Sequence, residues 1–287
     1  NSLALYCYGL CMKHLIGGID FGEGPRWHNG RLWYSDFHQK TVYSVNLNGE
    51  RNVEFTLDDQ PSGLGWMPDG SMLVVSMINR QVLRVSSDGV SVHADLSELA
   101  TWHCNDMVVS SSGHAYVGNF GFDLDGRTEF CKTVMVHVTP EGDTSVGADG
   151  LSFPNGSVIT PDEKTLIVGE TFGGCYTSFS INEDGSLSDP SLWAEVPGMF
   201  PDGCTMDAEE TIWFADASTP RVVRVAKGGK ILDEVETPQV PFACMLGGED
   251  GKTLFILTAD SSGPNQAGSG SGNIWTHNVD VAKAGLP

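Results

Sequence analysis

Two carboxylates and two carboxamides stand at one repeated place in this chain. Glu23, Asn105, Asn155 and Asp202 each open a short extended stretch, in FGEGPRW (21–27), HCNDMVV (103–109), FPNGSVIT (153–160) and FPDGCTM (200–206). In QPSGLGW (60–66) and PFACMLGG (241–248) the same place falls on Ser62 and Ala243, which contribute little. Carboxylate and amide oxygens, with no imidazole or thiolate among them, form a hard donor set. Such a set suits Ca²⁺ best, with Mg²⁺, Mn²⁺ or Zn²⁺ occupying it under other conditions and waters completing the shell. Asn or Asp before Gly is also an ordinary turn former. Four oxygen-bearing residues at one repeated position are harder to explain that way. A cation held there would polarise a carbonyl or phosphoryl oxygen, which is the chemistry of hydrolysis.

Other residues fall at fixed offsets from this position. Two residues earlier stand Phe21, Gln60, His103, Phe153, Phe200 and Pro241, an aromatic rim in which His103 is the odd member, able to bond a substrate carbonyl or move a proton. One strand further out, Asp36, Asn119, Glu170 and Asp216 end the next extended run, as acceptors for the inner ligands or for substrate, or as acids facing solvent. After Asn119 comes GFDLDGR, a glycine-bearing loop placed to cover part of the mouth. Its DLDG lacks the remaining ligands of a calcium loop and reads as a turn. There is no GxSxG, P-loop, HExxH or GxGxxG.

The repeat says what must hold these residues. The six positions are separated by 39, 43, 50, 47 and 41 residues. Each copy runs from a first strand through a turn such as HNG, MPDG, SSSG or GEDG to a second strand (RLWYS, MLVVS, HAYVG, TLIVG, TIWFA, TLFIL). A third and a weaker fourth strand follow. A period of 40 to 50 residues with turn-rich β units is the mark of a propeller. The reading is an all-β, six-bladed β-propeller with four antiparallel strands per blade. The last copy lacks a fourth strand, and apolar residues precede Glu23, so the N-terminal strand is expected to complete blade six and remove an open edge. The chain reads as a single domain, 1–287, with residues 1–10 a tag or irregular segment. If the repeated position begins every channel-lining strand, Glu23, Asn105, Asn155 and Asp202 meet at one mouth as metal ligands.

Composition narrows the partners. The 287 residues carry a formal net charge of −21, which repels nucleic acid and anionic membranes, and no run is long enough to span a bilayer. Cations and neutral or cationic small molecules remain. Seven scattered cysteines without a CxxC pair read as reduced thiols of a cytoplasmic protein, although Cys7 and Cys11 are close enough to pair if the protein were exported. NSLALYCYGLC lacks the basic start and apolar core of a signal peptide.

FGEGPRW, FPNG, FPDGCTMDAEETIWFAD, ACMLGGEDGKTLFILTA and the closing AGLP together resemble the gluconolactonase, regucalcin and senescence-marker-protein family of six-bladed propellers, over roughly residues 17–287. The resemblance implies a divalent metal held by Glu23, Asn155 and Asp202, with Asn105 beside it as ligand or substrate contact. It further implies lactone hydrolysis, with Asp202 the catalytic base. Sugar-lactone members of the family share an Arg two residues before the Asn matching Asn105. Here His103 stands there, after Trp102. Without that cationic fork, and with a phenylalanine rim, the expected substrate is a more apolar lactone or another ester, bound by Asn105, His103 and Asn119. Two alternatives stay open: a phosphotriester or fluorophosphate hydrolase on the same calcium site, and a non-enzymatic propeller that binds metal or a partner.

Overall fold

Short strands pair antiparallel in sets of four, in sequence order in five sheets and with the first strand joining the last three in the sixth. The computed structural model describes residues 12–287 and contains six such sheets. In blade 1, Gly22–His28 pairs with Arg31–Asp36, then Thr41–Val45, then Arg51–Thr56. The inner strands of blades 2 to 6 are Pro61–Trp66, Cys104–Val109, Pro154–Ile159, Pro201–Met206 and Val240–Gly247. Among the described residues the only helical turn is a 3-10 turn at Pro264–Gln266. The protein is an all-β, six-bladed propeller. Among the described residues no helix is long and apolar enough to cross a membrane.

The ring closes as expected. Lys13–Ile19 is the outer strand of blade 6, antiparallel to Gly272–Asn278 with Lys13 opposite Thr276 and Ile19 opposite Gly272. This joins the two ends of the chain in one sheet. Neighbouring blades pack through their apolar faces. Val158, Ile167 and Tyr176 of blade 4, for example, meet Cys204, Phe214 and Val223 of blade 5. Each such side chain contributes about 1.5–3 kcal/mol on burial.

Two local devices shape the channel mouth. Every inner strand carries a register irregularity at the repeated position, as between Pro154 and Ser157 or between Pro201 and Cys204. A bulge there adds one residue and re-aims a side chain. The following glycine lets the inner strands approach. A Cβ on Gly24 would lie 2.7 Å from the carbonyl oxygen of Ser62, and one on Gly156 would lie 2.4 Å from that of Asp202.

The same register corrects the reading of blade 6. Pro154 faces Glu170, Pro201 faces Asp216, and Pro241 faces Thr258. The residue after each proline is the ring position, so blade 6 contributes Phe242 rather than Ala243. Phe242 lines the cavity at the mouth, and Ala243 packs beneath it against Gly203.

The opposite end of the channel is crossed by residues 282–287. Leu286 and Ile159 exchange backbone hydrogen bonds of 2.9 and 2.7 Å, Ala284 donates to Met206, and Lys283 donates to Gly251. The segment ties blades 4, 5 and 6 together. Cys104, Cys204 and Cys244 are buried, Cys175 is half-buried and Cys131 is exposed, all as free thiols. Cys7 and Cys11, with their suggested pairing, lie outside the described residues.

Candidate active site and metal centre

The first strands bring Glu23, Asn105, Asn155 and Asp202 to one end of the channel, and all four line a single cavity of about 370 Å³. They come from blades 1, 3, 4 and 5, and each is at most 8% exposed. Asn155 is oriented by its amide nitrogen, which donates to Thr171 Oγ1 at 3.1 Å. Thr171 in turn donates to the Pro201 carbonyl at 2.8 Å. That leaves Asn155 Oδ1 and Asp202 Oδ1 buried with no hydrogen-bond partner among the described residues. Glu23 Oε2 accepts only from its neighbour's backbone, Gly24 N at 3.1 Å. The Asn105 side chain has no hydrogen bond within the described residues, which leaves its amide for a ligand.

The electrostatics match this geometry. Burial raises the Glu23 carboxyl well above its ordinary range, with the charges of Asp202 and Asp106 adding to the effect. Burial, then the charge of Asp106, raises Asp202 as well. Asp106 has its own counter-ion. Arg26 pairs with it at 2.6 Å and also donates to the carbonyls of Leu64, Pro25 and Met107, fastening three inner strands below the ring. Glu23 and Asp202 have no such partner. Two crowded carboxylates and orphaned oxygens, which burial makes costly to leave unpaired, are what a bound hard cation would satisfy. Among the described residues no three His, Cys, Asp or Glu side chains gather as ligands. The oxygens that do gather here are carboxylate and carboxamide, a different chemistry from the nitrogen and sulfur sets of structural zinc.

Above this floor the wall is aromatic. Phe21, Phe37, Phe120, Phe153, Phe172, Phe200 and Phe242 all line the cavity. Phe120 stacks on Phe153 with centroids 4.6 Å apart, and Phe172 meets Phe153 edge-on at 5.0 Å. Phe153 holds a left-handed backbone at φ 64°, a conformation that costs a non-glycine residue energy and that clusters at ligand sites. His103 lines the same cavity, stacked on Trp102 at 5.0 Å, and burial lowers its proton affinity. The sequence does not single out several other lining residues: Phe37, His38, Phe120, Thr171 and Phe172. Most of them sit just past the second strand of a blade, in SDF, GNF and GETF. That recurring aromatic after an acid or amide was the available signal.

The outer polar residues do different work. Asn119 does not line the cavity. Its Oδ1 accepts from Gly121 N at 3.0 Å and Thr133 Oγ1 at 2.7 Å, and its Nδ2 donates to the Val134 carbonyl at 2.9 Å. Asp36, Glu170 and Asp216 are buried, not solvent-facing, and accept from the backbone of Asp20, Ser152 and Phe200, pinning the loop that enters each inner strand. The GFDLDGR loop does reach the mouth. Asp123 ties it by accepting from Gly126 N at 2.7 Å, while Leu124 and Asp125 line the cavity.

A family model described as the SMP-30/Gluconolactonase/LRE-like region matches residues 21–260, which include every ring position. Among curated proteins, the pentonolactonase XacC of Haloferax volcanii is 26% identical over 286 residues, covering 93% of this chain and 92% of its own. Lactonase drp35 of Staphylococcus epidermidis is 25% identical over 254 residues, covering 83% and 72%. Among solved structures, the calcium-binding protein regucalcin of Agrobacterium tumefaciens has a TM-score of 0.82 at 20% identity, over 98% of this chain and 97% of its own. At that identity the likeness speaks for the fold. The family match spans most of the chain and all six inner strands: this chain belongs to the SMP-30/gluconolactonase/LRE-like family.

Proposed function

We propose that this protein is a metal-dependent hydrolase that opens a lactone, one more apolar than an aldonolactone. The observation that carries the reading is the pair of buried, unpartnered oxygens, Asn155 Oδ1 and Asp202 Oδ1, at the floor of a phenylalanine-lined cavity. Family membership and relatives named as lactonases support it. Glu23, Asn155 and Asp202 would hold the cation, with Asn105 beside them, and calcium is the ion this donor set suits best. When bound, the cation supplies Lewis acidity toward a carbonyl oxygen.

The chain's own residues supply the rest. The phenylalanines hold the apolar part of the substrate and exclude water from the walls. Asn105 and His103 orient the lactone by hydrogen bonds. Asp202 accepts a proton from water as that water adds to the carbonyl carbon. The ring C–O bond then breaks, and the alkoxide oxygen takes the proton back. Asn119 holds the mouth loop and does not touch substrate. The free thiols fit a reducing compartment, the cytoplasm.

Asp202→Asn should abolish hydrolysis across a panel of aliphatic, aromatic and sugar lactones while circular dichroism shows the fold retained. Wild-type rates in that variant would end the assignment. A lining without Lys or Arg among the described residues also favours one second reading, hydrolysis of a neutral phosphotriester. Turnover of both substrate types on one sample separates the two, and ¹⁸O from solvent appearing in Asp202 would mark direct attack by the carboxylate.

A further inference from the structure

We propose that Asp125 makes this cavity a site for lactones bearing a cationic or neutral substituent and closes it to anionic ones; the inference rests on the lactonase reading. Asp125 lines the mouth, is exposed, and makes no hydrogen bond or ion pair within the described residues. Its neighbour Asp123 turns an oxygen inward to Gly126 N at 2.7 Å and does not line the cavity, so Asp125 is the carboxylate that this loop presents at the opening. No Lys or Arg lines the cavity, and Arg127, two residues on, lies outside the lining.

The cavity that this carboxylate lines has aromatic walls. Phe172 and Phe200 remain 42% and 37% exposed at the mouth. Aromatic faces beside a carboxylate attract an ammonium group and give an anion no partner. A cleft of one charge sign with low-dielectric walls also focuses its field on an incoming ligand, here within a chain of net charge −21.

The test uses three lactones of one ring and length, ending in trimethylammonium, tert-butyl or carboxylate, with calcium-loaded wild type, Asp125→Asn and Asp125→Lys. At low salt, wild-type kcat/KM should fall in the order ammonium, tert-butyl, carboxylate. The ammonium-to-carboxylate ratio should drop about fivefold in Asp125→Asn and invert in Asp125→Lys, each rate taken relative to tert-butyl turnover in the same protein. Salt should compress the wild-type ratio. A ratio unchanged across the three proteins overturns the proposal. If wild type opens none of the lactones, the lactonase reading fails. Calorimetric Kd values for the matching non-hydrolysable lactams then decide the role of Asp125 by the same ratio.

Discussion

Replacing the proposed base should make the metal-free protein more stable. Asp202 is buried and has no counter-ion; burial and the charge of Asp106 raise it from an ordinary 3.8 to about 8. A folded value above the unfolded one has a definite sign. The stability linked to this group is fully present below about pH 4 and is lost as the pH rises through about 8. By pH 7 the loss reaches at most about 4 kcal/mol, at 1.36 kcal/mol per tenfold change in proton affinity. Relaxation and water entry lessen such penalties in real proteins, so about half, roughly 2 kcal/mol, is expected to return in Asp202→Asn. For a chain of 287 residues that is about 3 °C in Tm.

The assay is a set of melting curves for wild type and Asp202→Asn, in chelator and in millimolar calcium, at pH 5 and pH 8. In chelator the wild-type Tm should fall from pH 5 to pH 8, and the variant's should fall less, leaving the variant several degrees higher at pH 8. Calcium should raise the wild type more at pH 8 than at pH 5, because binding must displace protons from Glu23 and Asp202 at the lower pH. At a hundred times Kd the calcium effect is worth about 2.7 kcal/mol, and the variant should lack most of it. A variant that melts below wild type in chelator at pH 8, or that gains as much from calcium, would refute the reasoning.

Three further outcomes are expected. Gly156→Ala places a Cβ 2.4 Å from the Asp202 carbonyl oxygen and 2.7 Å from Cys204 N, both backbone atoms that must shift; calcium affinity by calorimetry should fall at least about tenfold, since ligand spacing sets affinity, in a protein that still folds. Phe172→Ala removes a half-exposed wall; kcat/KM for an aryl lactone should drop about tenfold, while a small unsubstituted lactone and Tm are little changed. Asn119→Ala deletes three buried hydrogen bonds; it should cost about 2–3 kcal/mol of stability and leave KM of the folded enzyme unaltered, whereas a raised KM at constant stability would put Asn119 back in contact with substrate.

The blades were legible in the sequence because a propeller is periodic in both turns and apolar alternation. Closure by the N-terminal strand followed from counting strands. The ring of Glu23, Asn105, Asn155 and Asp202 could be read because the bulge repeats at one offset from each proline or small residue. Blade 6 broke the reading. PFAC has neither the glycine nor the polar residue of FPNG and FPDG, so the match slid one residue to Ala243. Only the pairing of Pro241 with Thr258 locates the bulge at Phe242. The strand-end acids misled in another way. Residue type made them acceptors, but the sequence cannot say that their donors are backbone amides of their own blade. The phenylalanine wall was half visible, since Phe21, Phe153 and Phe200 precede the ring, while Phe37, Phe120 and Phe172 reach the cavity only through loops whose course depends on where the second strands end.

The floor and the mouth are built differently, and this separates chemistry from specificity. On the floor each side chain is placed by a bulge in a strand packed against its neighbours at glycine contact, with Arg26 fastening the strands beneath. Moving one ligand there moves the backbone of the next blade. At the mouth His103, Phe172, Phe200 and Asp125 stand on separate loops of blades 3, 4 and 5, and none of them bonds to a floor ligand. Exchanging an arginine for His103, or altering Asp125, therefore changes which lactone is admitted without disturbing the oxygens below it. On this architecture, substrate range should follow the mouth loops and cation binding should not, so a variant at His103 or Asp125 that lost calcium affinity would show the two layers to be coupled after all.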